Sequence, residues 1–208
     1  MEDYVYILDY LPQGRPDAPP SRREPTLLGL GAQQFTLFEL VPKPGASFTI
    51  GDRAYIGKDV DQRGLVQKIR GRIGYHELTP AAHGELPYVI EDVVRSEPVR
   101  FLKFFNDAPA ISVRYHALEL LPGIGKKSVE HLVAERKQKP FDTFEDLQER
   151  GKVQDPMKVI IGRILHELQD PTEKYHIFVR PPAKEDDDRW RGPRGGGGGG
   201  YGRGGGRY

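Results

Sequence analysis

The segment Leu121-Pro122-Gly123-Ile124-Gly125-Lys126-Lys127 carries the clearest chemistry in the 208-residue chain. Pro122 stops a preceding helix, and Gly123 and Gly125 let the backbone turn tightly and approach a ligand closely. Leu118, Leu121, Ile124, Val129, Leu132 and Val133 supply an apolar side, so helices are expected on both flanks of the turn. A helix that starts at Lys126 points its free N–H groups and the positive end of its dipole out of the turn, which makes an anion site. Lysine in a first helical turn opposes that dipole. Lys126 and Lys127 are therefore poor choices for stability and good ones for holding a phosphate. From residue 114 to residue 140 six Lys or Arg stand against three Glu. No aromatic residue lies in the turn, so the expected contact reads shape and phosphate and carries little base information.

The bulk charge hides this site. The chain has a formal net charge of +1, from 31 basic and 30 acidic residues. Residues 189–208 hold five Arg and no acid, and without them the rest of the chain has a net charge of −4. A mildly acidic body with a basic end points to a polyanionic partner for that end and confines any phosphate site on the body to a local patch. Residues 192–208 contain eleven Gly, three Arg and two Tyr. Such a segment cannot bury enough apolar surface to offset chain entropy and is expected to be disordered. Its Arg, with Tyr or Trp190, can engage unpaired bases. Arg191, Arg194, Arg203 and Arg207 join Gly123, Ile124, Gly125, Lys126 and Lys127 as candidate nucleic-acid-binding residues.

Other chemistries find little support. The chain has no cysteine, so disulfides, thiolate metal sites and cysteine nucleophiles are excluded, which suits a reducing cytoplasm. The six histidines (His76, His83, His116, His131, His166, His176) are scattered, and no two of them share i,i+4 spacing for zinc. The carboxylates of Glu185 to Asp188 read as a solvated spacer. No phosphate loop, dinucleotide fingerprint or nucleophile elbow is present. No catalytic residue, cofactor, metal or small-molecule ligand is expected. No apolar run approaches the roughly 20 residues of a membrane span, and the acidic N-terminus lacks a signal-peptide pattern.

The elements that would position the turn can be read in outline. Tyr4 to Leu11 is dense in β-branched and aromatic residues and predicts a strand. Residues 12–25 carry five Pro and predict a long loop. Phe35 to Val41 and Ser47 to Ile56 predict strands around the turn Pro42-Lys43-Pro44-Gly45, with Gly51-Asp52 as a candidate interruption of the second. Leu65 to Leu78 predicts a strand pair. From Ala81 the apolar spacing becomes helical. A second short helix runs from Pro98 through Phe101, Leu102 and Phe105. Further helices are expected over Arg114 to Leu121, Lys126 to Lys139, Thr143 to Arg150 and Pro156 to Gln169, with Asp142, Thr143 and Asp155 as N-caps. Tyr175 to Val179 predicts a final strand returning to the sheet. Tyr4, Tyr6, Tyr10, Phe35 and Phe38 are expected as core or half-buried strand residues, with stacking on bases as the alternative role.

The pattern apolar-Pro-Gly-apolar-Gly-Lys-Lys before an amphipathic helix resembles the helix-hairpin-helix motif of DNA repair and replication proteins, in which the glycine amides and following basic residues hold phosphates of one strand. Gly123, Ile124, Gly125, Lys126 and Lys127 match those positions. Val129 stands where the motif usually has a small residue. Phe141 to Leu168 resembles a degenerate second copy, with Gly151-Lys152-Val153 in place of the hairpin glycines and a structural role implied. Tyr4-to-Gly14, Glu39-Leu-Val-Pro, Gly51-Asp-Arg-Ala-Tyr-Ile-Gly-Lys58, Glu77-Leu-Thr-Pro80, Glu85-Leu-Pro-Tyr-Val-Ile90 and the hairpin together resemble an archaeal family of unknown function, over roughly residues 4–180. That resemblance implies an OB-like barrel joined to a helix-hairpin-helix unit and a nucleic-acid-binding role. The family's genes tend to lie near ribosomal, RNA polymerase and rRNA-methylation genes, which implies RNA slightly over DNA and ribosomal or RNA polymerase components as candidate partners.

The resulting expectation is an α+β chain, a small OB-like β-barrel followed by a helical helix-hairpin-helix domain with a disordered Arg/Gly-rich tail. The division is 1–80 barrel, 81–110 connecting helices, 111–172 helix-hairpin-helix domain, 173–182 final strand, and 183–208 acidic linker and tail. The expected function is non-enzymatic binding of a phosphate backbone. The alternative is a protein-interaction adaptor of the ribosome or transcription machinery that touches nucleic acid only through its tail. A nuclease using the hairpin to grip its substrate ranks last.

Overall fold

The structure is a computed structural model that describes residues 2–181. Arg191, Arg194, Arg203 and Arg207 lie outside the described residues. The described chain is mixed α+β: a curled, five-stranded antiparallel half-barrel and a set of helices packed on it. Strands β1 (Tyr4–Leu11), β2 (Thr26–Gly31), β3 (Leu37–Pro42), β4 (Arg53–Tyr55) and β5 (Val66–Arg72) lie in the order β4-β1-β2-β3-β5. β4 and β5 are the two edges and do not pair with each other, so the sheet stops short of a closed barrel.

Both faces of the sheet's centre are covered. Val5, Ile7, Leu27, Phe38, Leu40, Ala54, Ile56 and Val66 form a cluster on one side. Leu8, Leu28, Leu30 and Leu37 face the helices and join one continuous core with them. Every residue of β2 and β3 is consequently buried. A strand buried on both faces shows no alternation of apolar and polar residues. That is why Thr26–Gly31, with glycine at two of six positions, was not legible as a strand beside the proline-rich loop.

Helix α1 (Pro80–Ser96) begins at Thr79, whose hydroxyl accepts the Ala82 N–H at 3.1 Å. It buries Ala82, Leu86, Val89, Ile90, Val93 and Val94 against β1, β2 and α5 (Pro156–Gln169). Helix α2 (Pro98–Asp107) contributes Phe101, Leu102 and Phe105 to the same core. A two-stranded ribbon, β6 (Ala110–Ser112) and β7 (Tyr115–His116), follows, then a short 3-10 helix Ala117–Leu120. Helices α3 (Lys126–Gln138) and α4 (Phe144–Glu149) precede α5. Thr143 and Asp155 cap α4 and α5 as expected, whereas Asp142, also expected as an N-cap, caps no helix among the described residues. No helix among the described residues is long and apolar enough to cross a membrane.

Four further expectations are corrected. Arg114 to Leu121 is not an α-helix: Tyr115 and His116 belong to the ribbon, and only the 3-10 turn fits between them and Pro122. Leu65 to Leu78 is a single strand followed by a 3-10 turn, Tyr75–Glu77, where the Glu77 carboxylate accepts the Gly74 N–H at 2.6 Å. Within Ser47 to Ile56 only Arg53–Tyr55 is strand, because the Asp52 carboxylate takes the Thr49 N–H and hydroxyl and Gly51 turns with φ +87°.

The last correction concerns Tyr175 to Val179, which is not a strand. Its backbone donors go to a side chain. The Glu167 carboxylate of α5 accepts the N–H groups of Ile177, Phe178 and Val179 at 2.9, 3.0 and 2.8 Å. It also accepts Arg163 Nε at 2.7 Å, and both side chains are almost wholly buried. Arg163 reaches on to Glu173 at 3.0 Å and to the Tyr175 carbonyl. This pair straps residues 173–181 over α2, where Phe178 meets the rings of Phe101 and Phe104. The strap ends at the sheet, where the Arg180 N–H donates to the Gln34 carbonyl at 2.9 Å.

Candidate functional site: the turn before α3 and its groove

The turn is built from its buried residues outward. Leu118, Leu121 and Ile124 are buried, and their backbones interlock: the Leu121 N–H donates to the Leu118 carbonyl at 3.1 Å and the Ile124 N–H to the Leu121 carbonyl at 3.2 Å. Gly123 takes φ +79°, a conformation L side chains rarely adopt. Pro122, Gly123, Gly125, Lys126 and Lys127 are exposed. Of the five turn residues read from the sequence as ligand-binding, Ile124 is therefore the buried one, and it pins the turn to the core.

Helix α3, like α2, starts without a side-chain cap, unlike α1, α4 and α5. Thr79, Thr143 and Asp155 each accept a first-turn N–H of α1, α4 and α5 with a side-chain oxygen. Gly125 has no side chain to offer, and the first turn of α3 contains no acid. The first N–H groups of a helix have no partner within it, so here they stay open to an external acceptor. Among the described residues no side chain pairs with the ammonium of Lys126 or Lys127. Other cations nearby are committed inward. Arg136 donates to the Phe105 and Ala108 carbonyls at 2.8 Å each, closing the end of α2. Arg150 pairs with Asp146 at 2.6 Å and holds its carboxyl down at about 2.

The second turn faces the first across a groove of about 630 Å³. Pro122, Gly123, Ile124 and Ser128 line one side, and Lys152 to Asp155, Lys158, Val159 and Gly162 the other. The turns share a local design: Lys152 has φ +57° and is followed by buried Val153, as Gly123 is followed by buried Ile124. Gly151 sits tight beneath, where a Cβ would lie 2.5 Å from the Leu147 carbonyl and 2.8 Å from Leu132. The two helix starts differ in charge. The Asp155 carboxylate accepts the Lys158 N–H at 3.0 Å, so the start of α5 already holds an anion of its own. Lys152 and Lys158 nonetheless rim the groove, exposed and without a side-chain partner among the described residues. Sequence reasoning missed them, with Ser128 and Gln154, as part of one surface; the only signal was the weak second copy of the turn. Val129 is buried in the core.

His116 controls the entry to the turn. Its Nδ1 accepts the Leu118 N–H at 3.1 Å, and the Glu119 carboxylate accepts the His116 N–H at 2.8 Å. Burial, then the charge of Arg136, pushes the imidazole pKa below its ordinary value, with Glu119 opposing. A histidine whose folded pKa is depressed stabilises the fold fully above its unfolded value, about 6.5, and loses that contribution as pH falls below it. The melting temperature should therefore decline between about pH 7 and pH 5 by more than in His116→Asn, whose amide oxygen keeps the cap without titrating. Parallel melting curves for the two chains across that range would refute the assignment.

The fold and this site describe a class: an antiparallel half-barrel carrying a helical unit with an open, basic helix start. The chain belongs to the family described as "Protein of unknown function (DUF655)", whose model matches residues 1–180. It is 44% identical over 181 residues to the uncharacterized protein MJ0038 of Methanocaldococcus jannaschii, covering 86% of this chain and 80% of that one. A crystal structure of Af1531 from Archaeoglobus fulgidus, assigned to the same family, is similar with a TM-score of 0.77 and 44% identity, covering 86% of this chain and all of that one.

Proposed function

We propose that this chain binds nucleic acid through the sugar-phosphate backbone, with Leu121 to Lys127 as the hairpin of a helix-hairpin-helix and the half-barrel as an OB-like partner. One observation carries the reading: α3 is left uncapped behind an exposed glycine turn while two unpaired lysines crowd its start. That arrangement opposes the helix dipole unless an anion completes it. Lys152 and Lys158 add two further cations on the facing wall. Because Asp155 caps α5 from within, the wall formed by the second turn contributes side-chain charge, and only the first turn offers free amides. The Arg-rich end adds non-specific affinity. The reading is one of binding and not catalysis, in the cytoplasm, with RNA ahead of DNA and ribosomal or RNA polymerase components as partners.

Titrating residues 1–182 with labelled RNA and DNA strands at low salt tests this. Binding should appear and weaken steeply as salt rises. Absence of binding to both, while the full chain binds, would transfer the function to the tail. It would then favour a protein-docking adaptor, a reading that draws on the exposed Ile111 and Val113 of the β6–β7 ribbon.

A further inference from the structure

The half-barrel has a second concavity, outside the helical half. It lies where β1, β3 and β5 meet the Pro42–Ala46 turn and encloses about 280 Å³. Tyr10 and Phe48 line it as an edge-to-face pair, ring centroids 5.0 Å apart and planes at 89°. Both residues are half-buried and line the cleft. The rim is preformed. The Lys43 N–H donates to the Leu65 carbonyl at 2.8 Å and the Ala46 N–H to the Lys43 carbonyl at 3.1 Å, while Gly45 turns with φ +73°.

The polar heads at the cleft match a heterocycle. Gln67, Tyr10 and Lys43 are among its lining residues and carry an amide, which can donate and accept at once, a hydroxyl and an ammonium. None of the three groups has a side-chain or backbone partner among the described residues. The one acid, Glu24, is neutralised by Lys68 at 3.2 Å and Arg70 at 2.5 Å. The surroundings are thus net basic, which suits the phosphates flanking a base. The volume admits a planar ring system with its sugar and excludes a folded partner.

We infer that this cleft takes one unpaired nucleobase, stacked against the Tyr10–Phe48 pair and hydrogen-bonded by Gln67, from the nucleic acid that the α3 turn holds by its phosphates. The inference rests on the backbone-binding reading above and adds to it a preference for single-stranded over fully paired ligand. Aromatic stacking of this kind is sequence-tolerant, so the preference is for unpaired bases as a class.

The test uses the full chain with two probes, a single-stranded RNA of about ten nucleotides and the same strand made entirely abasic. Wild type should bind the base-bearing strand about tenfold more tightly than the abasic one, the order of one stacked base. Tyr10→Leu and Gln67→Ala, each checked by thermal melting, should narrow that gap while leaving abasic affinity unchanged. Gln67 is exposed, so its variant keeps the test open if Tyr10→Leu is poorly folded. Equal affinity of wild type for both strands overturns the base site and leaves the backbone reading intact. A gap that survives in Gln67→Ala and in a folded Tyr10→Leu also overturns it, assigning the base contact to another surface such as the Tyr- and Arg-bearing tail. Competition by a proline-rich peptide, lost in the same variants, would make the cleft a peptide site. No binding to either strand defeats the backbone reading itself.

Discussion

Reversing both lysines of the α3 start, Lys126→Glu with Lys127→Glu, should lower nucleic-acid affinity roughly fifty-fold at about 0.1 M salt. The magnitude follows from counterion release. Each phosphate contact contributes a slope of about 0.9 in log affinity against log salt, or roughly eightfold per contact at about 0.1 M relative to 1 M. Losing two contacts should also flatten the salt slope by about 1.8 on a duplex and about 1.4 on a single strand. Repulsion from the new carboxylates works in the same direction. The fold should survive, because both side chains are exposed and acids in a first turn favour the helix dipole. A chain with Lys58→Glu and Lys137→Glu carries the same change in net charge at exposed positions outside the groove lining. It should retain most of the affinity. If the two double variants bind alike, the site is a diffuse field and the turn has no special part in it.

The second large effect is structural. Glu167→Gln should destabilise the chain by about 3–5 kcal/mol, the usual penalty for breaking a buried ion pair and stranding one charge. For a folded region of this size that is on the order of 10 °C in melting temperature. Gln keeps the shape but loses the charge, and its amide nitrogen cannot accept. The three N–H groups at Ile177, Phe178 and Val179 and the Arg163 guanidinium then compete for one oxygen. Buried ion pairs can often be replaced by apolar residues without loss. Here Arg163→Met with Glu167→Leu should not restore stability, because the strap's backbone donors would still lack an acceptor. Recovery to within about 2 °C of wild type would show that the strap holds by its aromatic contacts with Phe101 and Phe104 alone. Limited proteolysis should cut near residues 173–181 first in the variants.

These cases show what a sequence discloses and what it hides. Helix α5 was legible to the residue, since Asp155, Pro156 and the apolar spacing are all local signals. The turn was legible because glycine, proline and lysine act through their own backbone and charge. The strap was not. Its composition reads as a strand, and its donors are satisfied by a carboxylate ten residues upstream, which no periodicity reports. The facing wall of the groove was hidden for a similar reason. Lys152 and Lys158 join Pro122 and Ser128 only through the packing of α5 beside the turn, where Gly162 and Pro122 line the same groove. The half-open sheet was also out of reach, because strand order depends on which edges meet.

The bare start of α3 has a kinetic side. Without a capping oxygen, the amide hydrogens at the head of this helix should exchange with solvent sooner than those at the heads of α1, α4 and α5, where Thr79, Thr143 and Asp155 shield a donor. Ligand-free, the hairpin should therefore breathe faster than the scaffold that carries it. An acceptor settling there would slow that local opening, so the site contains its own occupancy reporter, readable in deuterium uptake before any partner is known by name.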